Sequence, residues 1–70
     1  MREQLERLID EMVTKGIRYP DAVREFERRY ILRVLAGTKF NLCRAAETLG
    51  IHRNTLSRKI TEHRLKRSAG

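Results

Sequence analysis

The chain of 70 residues has a single cysteine, Cys43, so no disulfide framework stabilises it. A lone thiol also fits a reducing compartment. No apolar run approaches the ~20 residues of a membrane-spanning helix. The opening MREQLERLIDEM is too charged for a secretory leader. These absences point to a cytoplasmic chain with no membrane partner. Soft metal ligands are equally scarce. Cys43, His52 and His63 match no zinc spacing, so neither a metal nor another cofactor is expected. Cys43 and His52 do not read as a nucleophile and base, because nothing orients the imidazole and the chain is too short for a substrate cleft. The reading is of a protein that is not an enzyme.

Acidic residues are scarce in one half only. Residues 1–37 carry eight Lys/Arg against seven Asp/Glu, while residues 38–70 carry eight against Glu47 and Glu62 alone. Most of the formal charge of +7 therefore sits in the second half. The first half reads as a solvated interaction surface and the second as a surface for a polyanion. A chain this short buries only about 60% of its unfolded surface, so its core alone is marginal. Without disulfides or a metal, oligomerisation is the remaining common route to stability.

Apolar periodicity predicts four helices and an all-α fold. In residues 2–15, Leu5, Leu8, Ile9, Met12 and Val13 share one face, and Gly16 suits the left-handed residue that ends a helix. The polar face is mixed in sign, which favours packing on a second helix over lying on a membrane. Pro20 and Asp21 open the second helix, which runs to about Ala36 with Gly37 as its stop. Its apolar positions are Ala22, Val23, Phe26, Tyr30, Ile31, Val34 and Leu35, and Glu25, Glu27, Arg28, Arg29 and Arg33 occupy much of the remaining surface. Glu25 is spaced to pair with Arg28 and Arg29. This stripe is wider than one partner helix needs. A two-fold homodimer satisfies it, with both helices of each chain in a four-helix core built on Leu5, Leu8, Ile9, Met12, Val23, Phe26, Tyr30, Ile31 and Val34. The competing arrangement is a monomer with a small exposed patch.

After a linker at Thr38–Phe40, with Phe40 expected against the core, Asn41 is a suitable N-cap for a helix from Leu42 to about Leu49. Ala45 and Ala46 let another helix approach closely. Gly50 permits a left-handed turn and Ile51 drops between two helices. The fourth helix begins near His52 or Arg53 and runs to about His63 or Leu65, with Leu56 and Ile60 inward. Lys66–Gly70 is expected to fray. Helix, short glycine turn and cationic helix over Asn41–Ile60 form the layout of a helix-turn-helix whose second helix enters the DNA major groove. The domain is read as 1–70, with dimerisation helices in 1–37 and the helix-turn-helix in 41–65.

The residue types on that helix suggest roles. Arg53 at its start can bond guanine O6 and N7 together, and Asn54 can read adenine in the same bidentate way. His52 and Ser57 are further candidates for base contact. Thr55, Arg58 and Lys59, with Asn41, Cys43 and Arg44 at the start of the preceding helix, are placed for phosphates.

The run NLCRAAETLGIHRNTLSRKI resembles the Fis-type helix-turn-helix. That family includes the factor for inversion stimulation and the C-terminal domains of NtrC-type bacterial enhancer-binding activators. RNTLSRK at Arg53–Lys59 is very similar to the recognition helix of the activator domains. NLCRAAETLGI matches the family form Asn-x-x-x-Ala-Ala-x-x-Leu-Gly-Ile, and Ala22, Phe26, Tyr30 and Ile31 resemble its second helix. The likeness covers about residues 5–65. Phe40 stands where the family often has glycine, Cys43 where it often has Ser or Thr, and His52 and Ser57 differ from the corresponding Fis residues. The resemblance implies a homodimeric transcription regulator on double-stranded DNA of the bacterial nucleoid, reading an inverted repeat and bending it. It implies Arg53 as the main base reader. Two architectures fit: a standalone protein that touches RNA polymerase or a recombinase, or the end of a larger activator. The competing class is a small helical protein-interaction module without DNA binding. Such a module has no need of Arg53, Arg58 and Lys59 together on a helix after a glycine turn.

Overall fold

A computed structural model describes residues 1–66. It contains α1 (Arg2–Thr14), α2 (Tyr19–Gly37), α3 (Leu42–Leu49) and α4 (Arg53–His63), and no strand among the described residues. The fold is all-α, as the periodicity predicts. The fraying expected of Lys66–Gly70 falls, beyond Lys66, outside the described residues.

The core belongs to three of the helices. Ile31 and Leu35 of α2, Ala45 and Ala46 of α3, Leu56 of α4 and Leu65 after it are buried together. Leu32, Val34, Phe40, Leu42, Leu49, Ile51 and Ile60 pack around them. Leu35 and Leu56 are wholly buried, and the fully covered Ala45 lets the helices close on each other. Leu32, absent from the predicted stripe, is part of this packing.

The first helix departs from expectation. None of its residues is buried, and Leu5, Leu8, Ile9 and Val13 stay exposed while Met12 is half-buried. Thus α1 does not seal α2 within one chain. The radius of gyration of 13.7 Å exceeds the ~11 Å of a compact chain of this size, in keeping with a helix held off the core. The dimer and core set divides accordingly. Ile31 is in the core and Val34 at its edge, but Val23, Phe26 and Tyr30 are exposed, so Phe26 is not the core residue its position in the stripe suggests.

Helix ends explain the connections. At α1, Gly16 (φ +75°) donates to Val13 O at 3.0 Å and Ile17 donates to Met12 O at 3.1 Å, a Schellman closure. The stop of α2 differs from the prediction. Gly37 is the last residue of the helix itself, and the left-handed residues are Lys39 (φ 54°) and Phe40 (φ 58°). Lys39 donates to Ala36 O and Phe40 to Leu35 O at 2.8 Å, while the Thr38 hydroxyl donates to Val34 O. These bonds and the packing of Phe40 on the core outweigh the steric cost of a left-handed side chain.

Two substitutions separate backbone strain from packing at these stops. A Cβ at Gly50 (φ +72°) meets nothing within 4 Å, so Gly50→Ala carries only the left-handed penalty and should destabilise by about 1–2 kcal/mol. Lys39→Gly should do the reverse, by a few tenths to about 1 kcal/mol, since glycine's own chain entropy offsets part of the relief. Urea denaturation of both variants checks the opposite signs.

Candidate nucleic-acid interface

Residues 41–63 build a helix, a three-residue turn and a helix, each junction fixed by an identifiable group. Asn41 caps α3: its Oδ1 accepts from the Arg44 N–H at 3.1 Å. Gly50 takes the left-handed conformation, and Ile51 donates to Ala46 O at 3.1 Å. His52 caps α4, its Nδ1 accepting from the Asn54 N–H at 3.0 Å. Leu56, fully buried one turn into α4, then anchors the helix on the core.

The candidate readers fall into three groups. Arg53, Asn54 and Arg58 are exposed on α4, and Cys43 and Arg44 on α3. Arg53 and Cys43 meet: the guanidinium Nη1 lies 3.7 Å from Sγ, a weak contact between two exposed groups. It joins the start of the recognition helix to the start of α3, so base-reading and phosphate candidates share one surface. Asn41 and His52 form the second group. Both are exposed, but Asn41 Oδ1 and His52 Nδ1 are already engaged in capping. Thr55 and Ser57 are half-buried at the margins.

Lys59 stands alone, and its predicted phosphate contact needs correction. It lies on the side of α4 that faces α2, and its ammonium sits 2.5 Å from Glu27 Oε1. Its charge is used inside the protein. Glu27, assigned from the sequence to the free surface of α2, is instead a junction. Its other oxygen, Oε2, takes His63 Nε2 at 2.7 Å. Lys59 and His63 are four residues apart and thus share one face of α4. The side chain of His63 is 3% exposed, and its Nδ1 has no partner. The predicted surface pair Glu25–Arg29 does form, at 2.6 Å.

Glu62 also approaches this junction, and ligand atoms of Glu27, Glu62 and His63 lie within 4.8 Å of one another. The positive charge that a metal would bring to Glu27 is already supplied by Lys59. A sequence signal for the junction exists in retrospect. Lys59 and His63 continue the inward line of Leu56 and Ile60, and Glu27 lies one turn before Ile31.

The Lys59 ammonium, with His63 beside it, holds the Glu27 carboxyl below the usual carboxylate range. A carboxyl depressed on folding contributes stability above its unfolded pKa of about 4.3 and loses it as pH falls through the lower folded value. The melting temperature should therefore fall more steeply below about pH 4.3 in the native protein than in Glu27→Gln. Parallel thermal melts from neutral to acid pH measure the difference, and equal slopes would contradict the junction.

Among the described residues, no helix is long and apolar enough to cross a membrane. No curated protein and no solved structure shows significant similarity to the chain. The sequence pattern of the family described as bacterial regulatory protein, Fis family, matches residues 22–63, which span most of α2 and the whole helix-turn-helix. That match covers more than half of the 70 residues, and the geometry of 41–63 is that of a helix-turn-helix. The chain belongs to the Fis family of bacterial regulatory proteins, as a DNA-binding helix-turn-helix regulator.

Proposed function

We propose that the protein acts as a homodimer whose two α4 helices read the half-sites of an inverted repeat in the major groove. The observation that carries this reading is the division of the surface. α3 and α4 expose the cationic and polar groups of Arg44, Arg53, Asn54 and Arg58. Elsewhere α1 and α2 expose Leu5, Leu8, Ile9, Val13, Val23, Phe26 and Tyr30. An apolar face of that extent on so small a domain favours a partner surface. A second copy satisfies it by two-fold symmetry, which also pairs the readers. Phe26 and Tyr30, with ring centroids 5.4 Å apart, form the aromatic centre of the face.

In this reading Arg53 is the main base reader, with Asn54 beside it on the next line of the helix and Ser57 one turn on. His52 reaches DNA only through the edge of the ring left free by its capping bond. Arg44, Cys43, Thr55 and Arg58 serve the phosphates, together with the backbone N–H groups after Asn41. Phosphate contacts on both half-sites favour bending of the DNA between them, because the curved duplex brings more backbone within reach. The same unit serves a standalone regulator or the DNA-binding end of an NtrC-type activator, with RNA polymerase or a recombinase as the further partner. The length of the encoding reading frame separates these architectures.

Gel shifts over a salt series test the DNA interface. Binding should weaken steadily with salt, and no shift on any duplex at low salt would sink the reading. Arg53→Ala should cost about 1–3 kcal/mol on a selected site and much less on random duplex. Equal losses on both would remove Arg53 as a base reader. Phe26→Asp should abolish the dimer in sedimentation while leaving the helical signal of α2–α4, because Phe26 lies outside the single-chain core. A normal dimer mass for that variant would refute the proposed face.

A further inference from the structure

We propose that Glu27 is a positioning residue. It sets the direction of the recognition helix relative to the apolar α1/α2 face, and so sets the half-site separation that the protein accepts. The inference rests on the dimeric reading above and adds the element that would give that dimer a fixed gauge.

Two kinds of contact tie α4 to α2. The first is apolar: Leu56 and Leu65 lie in one buried cluster with Ile31 and Leu35. Such burial is non-directional and tolerates rotation of one helix on another. The second is Glu27. Among the described residues, its bonds to Lys59 and His63 are the only side-chain hydrogen bonds or ion pairs between α2 and α4. Hydrogen bonds are sensitive to angle as well as distance. The two oxygens grip points one turn apart on α4, at 2.5 Å and 2.7 Å. A two-point attachment fixes both the rotation of a helix about its axis and its setting along that axis.

The position of Glu27 in α2 gives the grip its consequence. It directly follows Phe26, whose exposed ring belongs to the apolar face. Glu27 and Lys59 border an apolar groove of about 290 Å³ together with Val23, Phe26, Tyr30 and Ile31. The grip thus connects the surface that would meet a second copy to the helix that would meet DNA. Displacing a reader by one base-pair step, about 3.4 Å, changes the preferred spacing of half-sites.

The cluster is a poor device for stability alone. The Lys59 and Glu27 side chains are 28% and 31% exposed, so solvent screens their attraction. His63 is buried with one ring nitrogen unpartnered, which carries a penalty an apolar residue would not. Buried polar groups of this kind are one known means of choosing between otherwise similar packings.

The test uses the full chain and synthetic duplexes. A random-sequence duplex pool selects the best inverted repeat for the native protein. That repeat is then remade with its half-sites one and two base pairs closer or further apart. The native protein should favour one separation at least tenfold over its neighbours. Glu27→Gln, and the volume-filling double variant Glu27→Leu/His63→Leu, should reduce that preference to threefold or less. Their affinity for random duplex should not fall, because the residues that face DNA are intact and the change removes a negative charge. Thermal melts in parallel report folding. A folded variant that keeps the native spacing profile overturns the proposal, and so does loss of fold in both variants, which would make the cluster a stability element. A native protein without any spacing preference defeats the dimeric reading itself, a result distinct from an unchanged profile in the variants.

Discussion

Every helix of this chain is closed by the same backbone bond. An apolar residue just past the helix end turns its N–H back to a carbonyl five residues earlier: Ile17 to Met12, Phe40 to Leu35, Ile51 to Ala46 and Leu65 to Ile60. The bond satisfies a carbonyl that the helix leaves free, and it requires a left-handed residue immediately before the apolar one. It also directs the apolar side chain back over the helix it terminates. At the last three closures that side chain joins the core cluster. The chain therefore turns and packs in one step, which matters in a domain too small to bury much surface by other means. The three-residue turn of the helix-turn-helix is one instance of this closure. The angle between α3 and α4 follows from Gly50 and Ile51 as much as from Leu56.

The same closure explains which parts of the fold were legible in the sequence. Gly16 and Gly50 announce two of the four stops, because glycine adopts the left-handed conformation without steric cost. At the other two the left-handed residues are Lys39, with Phe40 after it, and Arg64, which carry no such signal. The glycine near the end of α2, Gly37, is the last residue of the helix itself, and the left-handed position falls two residues later, at Lys39. Helix existence, order and the cap at Asn41 were legible because periodicity and capping chemistry are local. The packing of α1 was not. An apolar stripe states that a surface needs cover, but it does not distinguish a neighbour in the same chain from one in another.

The site, too, was legible only where local chemistry decides. Residue type and helical position identified Arg53, Asn54, Arg58 and Arg44 as exposed, and the structure places them so. The same reasoning failed for Lys59 and Glu27, since a charged residue was assigned to solvent by type. Buried or half-buried charges are tolerated when they find each other. The inward line of α4 marks Lys59 and His63 as facing the core, but pairing them with Glu27, 32 positions before Lys59, requires the spatial relation of two helices, which no local pattern contains. The capping bond of His52 was accessible in principle, because the residue before a helix commonly accepts from the first turn.

In the proposed reading, contact with bases and control of geometry reside on different faces of α4. The outer lines of the helix, through Arg53 and Arg58, carry groups able to bond DNA, and the inner line through Lys59 and His63 carries groups committed to α2. A change on the outer lines alters which bases are preferred at one half-site. A change on the inner line leaves those groups chemically intact and alters where they are held. In a paired reader the second quantity counts twice, because an error in direction on one protomer is repeated by symmetry on the other. Sequence choice by this protein should accordingly depend on Glu27, a residue of α2 that takes no part in the reading surface, as well as on the arginines that do.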